Sequence, residues 1–221
     1  VRRASLREAA IGLGAYAAYL GVRRVVLTPA GRARARRNAF RVARMERRLR
    51  IDVEPRLQEL ALRAPRLVHA LNAGYGVANV SLSVGWLIRL HRRDDPGFRR
   101  ERRAAVAAFA GALPAYLFFP TAPPRTLDGI VDTIARSGVD IEHPLLVRFY
   151  NPIAAMPSHH VAFAVVTGAG LAARSQGSLT AAGWVAYPSC VAAVVMATGN
   201  HFLLDCVAGA LLGAAARRLT W

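Results

Sequence analysis

An all-α integral membrane bundle is the fold class that this sequence predicts, and three observations predict it. Of the 221 residues, 54% are hydrophobic, yet the formal charge is +17. The apolar residues come in runs, and arginines gather where the runs end, as expected of helices whose charged ends face water. All 30 basic residues are arginine, which reads as compositional bias more than functional choice. A nucleic-acid binder would also be strongly basic. It would not need the apolar runs, however, and no platform of interleaved aromatic and basic residues is present for stacking bases. The length suits one domain.

Residues 5–27 are rich in Ala, Gly, Leu and Tyr and end in Arg23 and Arg24, so they either span or lie at the interface. They lack a clear small-residue cleavage site and do not read as a cleavable signal. Residues 28–50 carry nine arginines with a weak apolar side at Ala39, Phe40, Ala43 and Leu49. They read as a basic amphipathic helix on anionic headgroups, against a solvated connector. Residues 57–90 form a second apolar run with Asn72, Tyr75 and Asn79 along one helical face. Such groups are either interhelical glue or part of a binding site.

The arginine-dense residues 89–103 read as a cytoplasmic loop under the positive-inside rule. Residues 104–119 then cross outward and stop at the prolines before Arg125. Residues 126–156 balance acids against few arginines, which fits an extracytoplasmic connection. Residues 158–173 return inward, 179–198 go out, and 201–216 come back to Arg217 and Arg218. Cys190 and Cys206 lie in apolar runs and read as small buried residues, not as a disulfide.

This topology gathers Arg125, Ser158–His160 and residues 200–205 at one face. Ser158 after Pro157 suits a helix start, whose free amides attract anions. His201 and Asp205 are four apart and would share a helical face, the carboxylate fixing the tautomer of the imidazole. The other ring nitrogen could attack phosphorus while His160 protonates the leaving oxygen. Arg125 supplies a fork for phosphate oxygens. A zinc site from His159, His160, His201 and Asp205 is the chemical rival, though adjacent histidines on a helix point about 100° apart. No metal and no cofactor is expected.

Pro-Ser-His-His (157–160) and Asn-His-Phe-Leu-Leu-Asp (200–205) resemble the second and third signatures of the type 2 phosphatidic acid phosphatase superfamily. Pro-Thr-Ala-Pro-Pro-Arg (120–125), Asn-Ala-Gly-Tyr (72–75) and residues 46–54 extend the resemblance toward the inositol phosphorylceramide synthases and their bacterial relatives. It covers roughly residue 44 to the C-terminus. It implies a six-helix membrane core and metal-independent chemistry through a phosphohistidine. With the basic interfacial helix read above, the chain divides as 1–55 and a catalytic core of 56–221, and the charge-based topology puts the site on the extracytoplasmic face of a bacterial plasma membrane.

In that resemblance His201 matches the nucleophile, Asp205 its partner and His160 the acid. Arg125, Ser158 and His159 match phosphate-site positions, and Asn200, Tyr75 and Asn72 join them as substrate-binding candidates. Phe118 stands where the first signature has a lysine, and Val194 and Val195 stand where the third has Ser-Arg. The branch often has a histidine at the position of Asn79. The implied partners are a lipid phosphoester and a lipid hydroxyl acceptor, with anionic headgroups at the basic helix. The expected activity is phosphotransfer from a lipid phosphoester. Hydrolysis of a lipid phosphomonoester is the alternative, and a non-catalytic anionic-lipid-binding protein is a second one.

Overall fold

A computed structural model describes residues 2–220, with the side chains of 2–4, 73, 75 and 76 outside the described set. The helices are α1 (Arg2–Val26), α2 (Pro29–Leu49), α3 (Glu54–Leu62), α4 (Pro65–Arg92), α5 (Phe98–Phe118), α6 (Thr133–Arg136), α7 (Pro144–Val147), α8 (His159–Ala172), α9 (Ser178–Ala197) and α10 (Leu203–Leu219). No strand occurs among the described residues, only an isolated parallel bridge between Thr121 and Ala154.

Local chemistry explains most of the helix boundaries. Thr28 caps α2 by accepting the Gly31 amide, and Pro29 occupies the first position, where its missing N–H costs nothing. Arg50 closes α2 in the left-handed conformation, φ 58°. The apolar run expected over 57–90 breaks at Pro65, because proline disfavours helix at the residue before it. The turn after α9 uses Gly199 at φ 72°, a conformation that glycine adopts freely.

α8 is the spine, packing against α4, α5, α9 and α10. Its close approach to α10 depends on Gly209, where an added Cβ would lie 2.4 Å from the Ser158 carbonyl oxygen. α1 runs along α5 and breaks through 95° into α2. The buried face of α2 (Ala35, Ala39, Val42, Ala43) shares one apolar cluster with Ala122, Leu127, Ile153 and Phe202. The N-terminal part is therefore packed into the core, across the boundary expected at residue 55.

Among the described residues only α9 is by itself long and apolar enough to cross a membrane; α1 and α2 pass that test together as the bent pair. α10 is too short for it at 17 residues, and α1, α4 and α5 carry too many polar or charged residues. α8, with 14 residues, spans about 21 Å at 1.5 Å per residue. Cys206 is buried as expected, whereas Cys190 is exposed; both are free.

The end of the bundle away from α2 is locked by Glu101, which is 2% exposed. Its carboxylate accepts from Arg217 at 2.9 Å and Arg174 at 3.1 Å, joining α5 to α10 and to the end of α8. Glu101→Ala leaves these guanidinium groups without their carboxylate and should lower the unfolding free energy by roughly 3 kcal/mol, measured by denaturation in detergent. A change below about 0.5 kcal/mol, the size seen for surface substitutions, would show that the cluster holds nothing together.

Candidate active site

The connection between α5 and α8 builds one wall. Thr121 donates its amide to the Ile153 carbonyl at 3.0 Å, and the Ala155 amide donates to the Thr121 carbonyl at 2.9 Å. This pairing aims the Ala155 carbonyl at His201, whose Nδ1 lies 2.9 Å away. A carbonyl only accepts, so the network assigns the proton to Nδ1 and leaves the lone pair on Nε2. Nε2 faces Nδ1 of His160 at 3.4 Å.

Sequence spacing put His201 and Asp205 on one helical face, and the structure corrects this. His201 precedes α10, and the Asp205 carboxylate folds back to accept the Phe202 amide at 2.9 Å. The unpaired amides of a helix start draw the carboxylate there. Asp205 Oδ2 remains 3.5 Å from His201 Nδ1, within ion-pair reach but beyond the closer Ala155 carbonyl. Burial, opposed by the Ala155 hydrogen bond and reinforced by the Arg125 charge, pulls the His201 imidazole down to about 4. It is therefore neutral near pH 7.

Arg125 reaches the same place from the turn Pro124–Thr126. Its backbone amide donates to the Gly199 carbonyl at 3.0 Å. Its guanidinium donates to Asn200 Oδ1, and Nε lies 3.7 Å from Asp132. Asn200 spends its own amide on Thr198, at 2.8 Å. His159 stacks on Phe109 at 4.9 Å, meets Tyr116 edge-on, and has Nε2 3.1 Å from the Phe109 carbonyl.

These groups line a polar cup of about 170 Å³ that includes Arg125, Asn200, His201, His159 and His160. Tyr19, Tyr150, His159 and His160 also line an adjoining, mostly apolar cavity of about 410 Å³ between α1, α4, α5 and α8.

Three of the expected residues lie elsewhere or cannot be placed. Ser158 is fully buried; it caps α8 and does not line the cup. Asn72 ties α4 to α6, donating to the Thr133 carbonyl at 2.8 Å and to Ser137 at 3.0 Å. The side chain of Tyr75 lies outside the described residues. Asn79 supports the site from behind, donating to the His160 carbonyl at 2.9 Å and accepting from Tyr187 at 3.1 Å. No group of three or more His, Cys, Asp or Glu among the described residues is arranged to hold a metal ion.

Of the cup residues that escaped the sequence reading, Asn151 and Tyr19 bring hydrogen-bonding capacity to it. Asn151 is 6% exposed, and its Nδ2 has no partner among the described residues. Its backbone amide donates to Tyr19 Oη at 2.6 Å, which leaves the Tyr19 proton available to the cup. Asn151 opened a motif-rich stretch and could have been weighed as a donor. Nothing in residues 5–27 signalled Tyr19.

The model of the PAP2 superfamily matches residues 41–219 of the chain. No curated protein and no solved structure is significantly similar to it.

The tautomer and the low proton affinity are open to direct measurement. In a nitrogen-15 histidine titration, His201 should stay neutral and Nδ1-protonated down to about pH 4. Because unfolded histidine titrates near 6.5, stability should be lost as pH falls from there toward 4. A midpoint near 6.5 for His201 would contradict the geometry.

Proposed function

The chain belongs to the PAP2 superfamily, whose members act as phosphatases or phosphotransferases on phosphoesters, and on that premise we propose that it is an integral membrane lipid phosphotransferase working through a phosphohistidine on His201. The observation that carries this reading is the unprotonated Nε2 of His201 facing His160 across 3.4 Å, beside Arg125.

Phosphorus enters between the two rings. The Nε2 lone pair forms the N–P bond as the bond to the leaving oxygen breaks, and His160, which enters this step as the imidazolium, gives that oxygen a proton and is left neutral. Phosphorylation makes the His201 ring cationic, and the Ala155 carbonyl and the Asp205 carboxylate stabilise that charge. Arg125 holds non-bridging oxygens. In the second half an acceptor hydroxyl passes its proton to His160 and attacks phosphorus, releasing Nε2. Asn151 Nδ2 and the Tyr19 hydroxyl supply neutral donors where Phe118, Val194 and Val195 withhold cations. Phe118 is exposed and Val195 is buried in a core cluster.

The large apolar cavity beside the cup supports a lipid substrate and a lipid hydroxyl acceptor in preference to water. That is the chemistry of the inositol phosphorylceramide synthase branch; simple phosphomonoester hydrolysis is the alternative outcome of the same intermediate. Exposed apolar side chains on α1, α4, α9 and α10, such as Leu13, Val80, Val185 and Leu211, support a bundle immersed in lipid. The three helices α8–α10 and the length of α1, α4 and α5 make up the six crossings of this reading. α2 lies at the cup end with arginines exposed, suited to anionic headgroups. Arginines gather at both ends of the bundle, so the near-neutral connection 120–156 carries the extracytoplasmic assignment of the cup.

Two experiments follow. In vesicles of mixed labelled phospholipids, wild type should yield an acid-labile phosphoprotein and new phospholipid products, unaffected by chelators. His201→Ala should lose both while retaining its fold; unchanged turnover in that variant would sink the reading. Asn151→Ala removes one hydrogen bond to a charged group, a loss of about 1.5–3 kcal/mol, and should lower kcat/KM by roughly 10- to 100-fold. Wild-type kcat/KM in this variant would remove Asn151 from the clamp.

A further inference from the structure

The first turn of α10, immediately after His201, is held by carboxylates from two other helices. Glu46 of α2 accepts the Leu204 amide at 2.7 Å, and Glu54 of α3 accepts the Leu203 amide. With Asp205 on Phe202, three successive amides each have a carboxylate partner. The left-handed turn at Arg50 brings the two glutamates together, and they are 1% and 3% exposed. Glu46 Oε2 has no hydrogen-bond partner among the described residues, and burial of a carboxyl without a partner favours its protonated form.

On the reading that His201 is the nucleophile, we propose that Glu46 and Glu54 are positioning residues. They clamp the start of α10 so that His201 keeps its register with His160 and Ala155. The strand of chain between α9 and α10 is pinned at its other end by the Asn200 and His201 amides on the Val195 carbonyl. The clamp fixes the second end, and a misplacement near 1 Å at a reacting atom costs about 100-fold in rate.

The buried, unpartnered Oε2 of Glu46 also makes the clamp sensitive to pH. Burial pushes the Glu46 carboxyl from 4.5 up to about 8, helped by the charges of Glu54 and Asp205. The titratable or charged groups facing it are Glu54 of α3, Asp205 and Cys206 of α10, Arg47 of its own helix, and Asp52 and Asp128 of the flanking connections. The folded state therefore keeps a proton that the unfolded chain releases near 4.5. Stability from this group is complete below that value and is lost as pH rises through about 8.

Glu46→Leu and Glu54→Leu, checked for folding by monodisperse elution and circular dichroism, should lower kcat by about 100-fold with KM nearly unchanged. Glu46→Gln should recover most of that loss, because its carbonyl still accepts from Leu204 in a side chain of the same size. The unfolding midpoint of wild type should fall between pH 5 and pH 8.5 relative to that of Glu46→Gln, which has nothing to ionise there. Folded leucine variants with wild-type kcat, or parallel midpoint curves for wild type and Glu46→Gln, would overturn the proposal. A wild-type protein without phosphoryl transfer would instead defeat the functional reading, while the midpoint comparison still decides whether Glu46 is protonated in the folded state.

Discussion

The amides of Phe202, Leu203 and Leu204 have no backbone partners within α10, as at any helix start, and they are buried or partly buried. Each must be satisfied from outside or cost the helix its place. Here the partners come from Asp205, Glu54 and Glu46. That requirement brings α2 and α3 against α10, sets where α10 begins, and leaves His201 in the extended residues just before it. The histidine takes its orientation from the Ala155 carbonyl, while the aspartate is drawn to the backbone. The electrostatics of one helix terminus thus shape the site as much as the histidines do.

The two ends of α8 show a division between chemistry and anchorage. At its start, Ser158 caps the helix, and His159 and His160 turn to different neighbours, one to an aromatic box and one to His201. At its far end, Arg174 meets Glu101, which also holds Arg217 of α10. Close contact at Gly209 allows α8 and α10 to run side by side between these points. A rigid spine with a satisfied charge cluster at one end lets the polar groups at the other end stay incompletely paired. Asn151 Nδ2 is such an atom, and a spare donor is what a phosphate site needs.

Much of this was legible in the chain. The apolar runs ending in arginines marked the long helices. Pro-Ser-His-His and Asn-His-Phe-Leu-Leu-Asp marked the two histidines, and the proline run marked Arg125. Helix periodicity misled at His201, because spacing of four says nothing about where the helix begins. It also left Asn72 open as a binding residue, whereas its amide is taken up by Thr133 and Ser137. Apolar runs were read by their extent, while the polar and charged residues within them reduce what a single helix offers to lipid, so α9 alone passes as a single span among the described residues.

By itself the sequence determined the helical class, the family, and the residue types brought to the reaction, because these depend on local periodicity and on short motifs. Only the tertiary structure decided which partner each residue takes. Ala155 orients His201, Tyr19 and Asn151 join the cup, and Glu46 and Glu54 meet at a helix they do not belong to. The reason is physical. A backbone carbonyl or an orphan amide has no signature in sequence, and its choice of partner depends on burial and distance, which exist only once the helices have packed.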